Sequence, residues 1–364
     1  MSSKRKKRSA VFLLVVKQLL AMFNHYSFNS LGTCLAVATD SGFAIYSIDT
    51  NQWKDPIISR SIPTGIRIVE LLFHSSSVFL VGNHPSDSNS SSLSQWAPQN
   101  LRIWSDSQRY IVGDLKLSSP ILAVRVNAAI IAVSTIDSVW TYRLSDLSPL
   151  DSIKTTANPT GALAMSPISD PEHTSVLVSL GQTEGDITGY WIRNGEQIAS
   201  HTCSAHRHAV THIVMSSDGA FCATSSTKGT MVRVYSLDEK QGFTLVKSLR
   251  RGLTNANITS MCFAQDSSIL AVASNHGTIH FFDLRCLEES KAGEPCRAAC
   301  HYAIEDVKPI ICFGPNDEKL GVAMSSGTFF QLNVSKLNSQ TDFISVRPSS
   351  LTGSFLITNS GKVE

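Results

Sequence analysis

Leu270-AVASNHGTIHFF-Asp283 is the stretch whose reading decides the fold. Its first half is a run of small apolar residues, its centre is turn chemistry ending in glycine, and its second half is a short apolar run. That is the signature of a tight hairpin between two strands. The same pattern recurs as Cys34-LAVATDSGFAIY-Ser47, Phe221-CATSSTKGTMVRVY-Ser236 and Leu320-GVAMSSGTFFQL-Asn333. Looser copies are Val78-FLVG with Leu101-RIW, Ile130-IAVSTIDSVWTY-Arg143, and Val176-LVSLGQTEGDITGYW-Ile192.

Seven copies place Tyr46, Trp104, Tyr142, Trp191, Tyr235, Phe282 and Leu332 at one aligned strand position, at intervals of 58, 38, 49, 44, 47 and 50 residues. A repeat a little over 40 residues long, built from short strands, is what a propeller blade looks like in sequence. The expected fold is all-β, a seven-bladed β-propeller of WD40-like repeats. Residues 23–345 would form it, between an N-terminal extension (1–22) and a C-terminal tail (346–364). A two-domain β-sandwich explains the regular Gly-bearing hairpins less well, and outside Ala10–Met22 no long stripe of helical period exists. The longer intervals mark insertions: a Ser-rich loop at Pro85–Gln99, and Leu284–Lys308, which either separates the outer strands of the sixth repeat or links it to the seventh.

Of 364 residues, 42% are hydrophobic and 16% charged, which suits a packed, turn-rich globular chain rather than a disordered one. The net charge of +2 is unevenly spread. Lys4, Arg5, Lys6, Lys7 and Arg8 outweigh it, so the remainder is slightly acidic and has no broad basic face. Nucleic-acid binding by bulk charge is therefore not expected. The eight cysteines show no disulfide framework, which favours a reducing compartment. Cys286, Cys296, Cys300 and His301 cluster but lack the CxxC pair of a structural zinc site, so no metal and no cofactor is expected. Ala10–Met22 after the basic run mimics a signal peptide, but Lys17 interrupts it and 13 residues are too few to span a bilayer. A strand or short amphipathic piece joined to the first repeat is the preferred reading; a nuclear or membrane-surface address is the other.

Between the fifth and sixth repeats lies Ser248-Leu249-Arg250-Arg251-Gly252. Neighbouring side chains on a strand point to opposite faces, so the two guanidinium groups would diverge into separate pockets. Each is a planar, permanent cation suited to phosphate oxygens. Alone, such a pair is more often solvated charge ahead of a turn; the repeat context changes that.

With those residues in view the chain resembles the PROPPIN family, propellers that bind polyphosphoinositides in autophagy and endosomal traffic. The resemblance runs from about Tyr26 to Val334. It is strongest in Ala205-His206, Ala223-TSSTKG-Thr230 with Arg233, Leu249-Arg-Arg-Gly252, and Ser274-NHG-Thr278. Leu249 stands where the motif usually has Phe and is similar to the subgroup with Leu there. Further matches are Phe28-Asn29, Gly42-FAI-Tyr46, Ile68-VEL-Leu72 and Asn158-Pro159. The resemblance implies two headgroup pockets. Arg250 would serve one with His206, Ser226, Thr230 and Arg233; Arg251 would serve the other with Ser274 and Thr278, joined by Thr254 or His276. The ordinary roles of these hydroxyls are cross-strand pairing and turn capping.

Two departures stand out. Asp283–Lys308 holds four basic and six acidic side chains and Tyr302 as its one aromatic, unlike the basic, aromatic blade-six loop that enters bilayers in the family. Phe28-Asn29-Ser30-Leu31 lacks the acidic residue through which resembling proteins contact the lipid-transfer protein of autophagy.

The function so implied is a non-enzymatic effector of phosphatidylinositol 3-phosphate and phosphatidylinositol 3,5-bisphosphate, acting in autophagosome formation. It would be a cytoplasmic monomer recruited to preautophagosomal or endosomal membranes. The alternative is a protein-interaction scaffold without lipid binding. Catalysis is not expected, since no Walker loop, HExxH or GxSxG elbow is present.

Overall fold

The computed structural model describes residues 23–48, 55–62, 64–73, 75–83, 96–167, 170–285, 295–336 and 344–354. Within them the chain forms seven sheets in sequence order, each with four antiparallel strands in meander order, and the fifth sheet gains the short parallel strand Cys296–Arg297 at its outer edge. These are the blades of a β-propeller: residues 23–61, 66–116, 123–154, 163–204, 210–250, 258–303 and 310–354. The seven repeats read from the sequence are the middle hairpins of the seven blades. Leu270 pairs with Phe282 in blade 6, and Leu35 with Tyr46 in blade 1.

Burial explains the composition of each strand. Second strands, such as Ile269–Ser274 and Ser175–Leu180, are buried on both faces and read as continuous small apolar runs. Outermost strands, such as Tyr110–Lys116 and Glu196–Ser204, largely alternate exposed with half-buried residues. One apolar layer fills each of the seven contacts between neighbouring blades. The ring closes between blades 7 and 1 by side-chain packing: Phe329 joins Tyr26, Leu35 and Tyr46, and Gln331 Nε2 donates to Ile48 O at 3.0 Å.

First strands surround the axis, where a cavity of about 300 Å³ is lined by residues from all seven blades. Ser27 Oγ donates to Glu70 Oε2 at 2.8 Å, and Arg125 lies 3.6 Å from that carboxylate, which burial holds above its usual pKa.

The sequence boundary at 345 is too short. Blade 7's outer strand is Ile344–Ser354, paired with Thr328–Lys336, because the blade needs a fourth strand to cover its third. The extension 1–22, most of the Ser-rich loop and the tail beyond 354 lie outside the described residues. Within Leu284–Lys308, the part before Cys300 separates the third and fourth strands of blade 6, the fourth being Cys300–Ala303, and the part after Ala303 links blade 6 to blade 7.

Two innermost histidines join adjacent blades. His25 hydrogen-bonds the backbone of Val69, and His212 that of Thr259. Burial lowers both pKa values from 6.5 to about 4, helped at His25 by Arg125. A folded pKa below the unfolded one means the unfolded chain takes up protons first as pH falls. Stability is thus fully present above about pH 6.5 and lost progressively towards pH 4. Scanning calorimetry should show a melting temperature steady from pH 8 to 7 and falling between pH 6.5 and 5; a flat profile would refute neutral burial of these rings.

Candidate functional site: two clefts beside blade 5

Strand alternation gives blade 5 two unlike faces. Ala223, Val232, Val234 and Leu249 pack against Leu270, Val272 and Phe282 of blade 6. Cys222 and Tyr235 pack against Val178, Trp191 and Ala205 on the blade 4 side. Leu249 pairs with Val232 and is fully buried in the first of these layers. Arg250, its neighbour, pairs with Met231 and therefore shares the blade 4 face with Arg233; its side chain is exposed. Arg251 then leaves the strand, with its backbone N–H on Thr230 O at 2.9 Å, and is 7% exposed. The two arginines diverge as the sequence predicts.

In the cleft between blades 4 and 5, Arg233 Nη1 donates to Ala205 O and, at 3.4 Å, to His206 Nδ1. A guanidinium can only donate, so Nδ1 accepts and the ring proton sits on Nε2, which donates to Thr224 Oγ1 at 3.0 Å. Burial, then the charge of Arg233, brings the His206 pKa down to about 4. His206 is thus neutral, with both nitrogens engaged; it orients Arg233 rather than facing the cleft as a free donor. The hydroxyls of Ser226 and Thr230 make no hydrogen bond among the described residues. Gly229, between them, has φ +56°, and a Cβ there would fall 1.9 Å from Ala256 O, so the turn demands glycine.

The cleft between blades 5 and 6 is more enclosed. Arg251 Nε donates to Gly229 O at 2.8 Å and Nη2 donates to Thr254 O. Burial lowers its pKa from the usual guanidinium value, but the group stays charged. Ser274 Oγ is buried without a partner, and so is Ser225 Oγ. By strand alternation they lie on the two faces that meet here, Ser225 with Ala223 and Ser274 with Val272. A buried hydroxyl left unpaired costs about 1–3 kcal/mol, and such groups ask for an explanation. Thr278 Oγ1 reaches only its own turn, His276 O at 3.4 Å, and His276 is exposed.

His280 and His301 also belong to this cleft, though neither was among the residues expected from the sequence. They pair across strands with ring centroids 6.1 Å apart. Burial, then Arg251, then His301 bring the His280 pKa from 6.5 to about 4. His280 stands two residues before Phe282 as Arg233 stands two before Tyr235, so aligning the repeats would have found it. Arg297 is a second addition. Cys296–Arg297 runs parallel to the outer strand of blade 5 and sets Arg297 in register with Arg250, both exposed. That pairing comes from a distant segment and has no local sequence signal.

Among the described residues none of Arg233, Arg250, Arg251 or Arg297 forms an ion pair with a carboxylate. Unneutralised guanidinium groups beside unsatisfied hydroxyls on either side of one strand end suit two anions.

Comparison with known proteins shows the family. The PROPPIN family model matches residues 22–303, over three quarters of the chain. The chain belongs to the PROPPIN family. That family is non-catalytic and phosphoinositide-binding. Among curated relatives, Autophagy-related protein 18 of Aspergillus terreus is 29% identical over 298 residues, covering 76% of this chain and 66% of that protein. WD repeat domain phosphoinositide-interacting protein 1 of Homo sapiens is 28% identical over 273 residues, covering 74% and 57%. The chain thus spans between about half and two thirds of the length of such relatives. Kluyveromyces lactis Hsv2 superposes with a TM-score of 0.74 at 18% identity, over 92% of this chain and 99% of that one. The KlAtg21 structure solved with the coiled coil of AgAtg16 gives 0.71 at 21%, over 92% and 99%. These likenesses confirm the seven-bladed fold of this PROPPIN.

The two arginines should respond differently to lysine. Arg251→Lys removes the fork that satisfies two backbone carbonyls, and urea unfolding should show a loss of about 1–3 kcal/mol. Arg250→Lys, at an exposed and unpaired site, should stay within about 0.5 kcal/mol of the parent. Equal effects would contradict the asymmetry of the site.

Proposed function

We propose that this PROPPIN is a phosphoinositide effector that recognises phosphatidylinositol 3-phosphate and phosphatidylinositol 3,5-bisphosphate through the two clefts, and that it acts in autophagosome formation. The observation that carries the reading is the divergence of Arg250 and Arg251 into separate clefts, neither guanidinium being neutralised by a carboxylate among the described residues.

Each residue has a role in it. Arg250, with Arg233, Ser226 and Thr230, takes the first headgroup, and His206 positions Arg233. Arg251, with Ser274, Thr278 and His280, takes the second. The arginines supply charge and paired donors, and the hydroxyls turn to meet the remaining phosphate oxygens. Leu249 and Gly252 frame the motif: the first anchors it in the core, and the second has no atom within 4 Å of where a Cβ would stand, leaving the approach open. Leu249 is similar to the subgroup with Leu before Arg-Arg-Gly, and supports assigning the chain to it.

A single basic contact with an anionic leaflet contributes about 1 kcal/mol. Two sites on one bilayer make the second event intramolecular, so modest affinities combine. The protein would be a cytoplasmic monomer gathered onto preautophagosomal or endosomal membranes; the lipid-transfer protein of autophagy is the protein partner the family resemblance implies, although Phe28-Asn29-Ser30-Leu31 lacks the acidic contact residue.

Vesicle flotation tests the reading. The parent protein should float with vesicles containing phosphatidylinositol 3-phosphate, and Arg250→Thr/Arg251→Thr should lose at least about tenfold in binding. Flotation unchanged by the double substitution, or absent in the parent, would leave a protein-interaction scaffold instead.

A further inference from the structure

Leu253 is 84% exposed, the most exposed large apolar side chain among the described residues. Single exposed leucines are ordinary; what surrounds this one is not. It tips a turn whose base is fastened on both sides. The backbone N–H groups of Arg251 and Gly252 bond Thr230 O at 2.9 and 3.4 Å, the Arg251 side chain donates to Thr254 O, Ala256 N bonds Lys228 O at 3.1 Å, and Asn257 N bonds Asn275 Oδ1 at 2.9 Å. The turn is thus held with its apolar tip outward, so little ordering is left to be lost on contact.

The surroundings of the tip are cationic. Residues 248–258 include Arg250 and Arg251 and no carboxylate, and the adjoining hairpin turn carries exposed Lys228. Arg297 adds another exposed guanidinium beside Arg250. An apolar tip in a basic collar fits the boundary between anionic headgroups and acyl chains. It fits a protein partner poorly, because one side chain is far smaller than the patch a stable interface buries.

We propose that Leu253 is a membrane wedge: while the clefts hold headgroups, its side chain enters the interfacial layer of the same bilayer. The inference rests on the phosphoinositide reading and deepens it. Arg251 links the two, since one guanidinium braces the turn and faces the second cleft.

The experiment has three arms. Calorimetric titration with soluble inositol 1,3-bisphosphate reports the clefts alone. Flotation with phosphatidylcholine vesicles containing phosphatidylinositol 3-phosphate reports the clefts and the wedge together. Leu253→Trp adds a fluorescent reporter at the tip. Leu253→Asp should bind the soluble headgroup like the parent but lose about tenfold on vesicles. Tyr110→Asp, at an exposed site on blade 2, should match the parent in both. Leu253→Trp should gain blue-shifted emission on vesicles, quenched by brominated acyl chains. Vesicle binding by Leu253→Asp equal to the parent, an equal loss from Tyr110→Asp, or no shift in Leu253→Trp would each overturn the wedge while leaving the clefts standing. If the parent fails to bind the soluble headgroup and the vesicles alike, both readings fall.

Discussion

The site depends on the two-residue period of one strand, Gly242–Arg250, held in fixed register against Met231–Asp238. That period sends Leu249 into the layer between blades 5 and 6 and Arg250 the other way. A slip of one residue would expose Leu249 and drive a guanidinium into an apolar layer formed by Val232, Leu270 and Phe282. The energetic penalty of that alternative fixes the direction of Arg250. Arg251 follows as the next residue along, its backbone tied to Thr230. The proposed anion recognition thus inherits its geometry from hydrophobic packing.

Placing a cation in the second cleft is costly, and among the described residues the cost is offset without a carboxylate. A buried charge loses several kcal/mol of hydration unless something replaces it. Here the replacements are the carbonyls of Gly229 and Thr254, dipoles that satisfy donors without cancelling the charge. A carboxylate would have stabilised Arg251 more strongly and repelled an incoming phosphate. His280 shows the resulting potential: burial and the neighbouring guanidinium keep its ring neutral. A phosphate in the cleft would oppose that shift, so an anion and a proton would favour one another there. The first cleft is gentler, with Arg250 exposed and His206 neutral beside Arg233, which makes the two sites unequal.

The fold was legible because a propeller writes itself seven times. Each middle hairpin repeats small apolar residues, a turn and an apolar run, and burial on both faces of the second strands makes those runs continuous. The outer strands were harder to read. They alternate weakly, and the strand that runs past 345 carries Pro348 and serines, which are not strand-like; cross-strand pairing overrides that local preference. The arginine pair was legible from alternation alone, and its hydroxyl partners came with the family resemblance. Ser225, His280, His301 and Arg297 were not foreseen. The first three required knowing which faces meet between blades, and Arg297 required a contact between blade 5 and a segment nearly 50 residues further along.

That contact bears on how the site is kept accessible. The outer strand of blade 5 presents unpaired backbone groups, and exposed edges invite further strands. Cys296–Arg297 covers the edge at Leu249 and Arg250, the two residues that aim the motif. Because the two residues are in register, the added pair places Arg297 on the same face as Arg250. The segment therefore does two things: it braces the strand end that orients the first cleft, and it raises the positive potential there. Like charges in register cost little in water but favour an anion that approaches both. The net acidity of Asp283–Lys308 as a whole is thus no measure of its effect at the cleft, because the part that docks beside Arg250 contributes a cation.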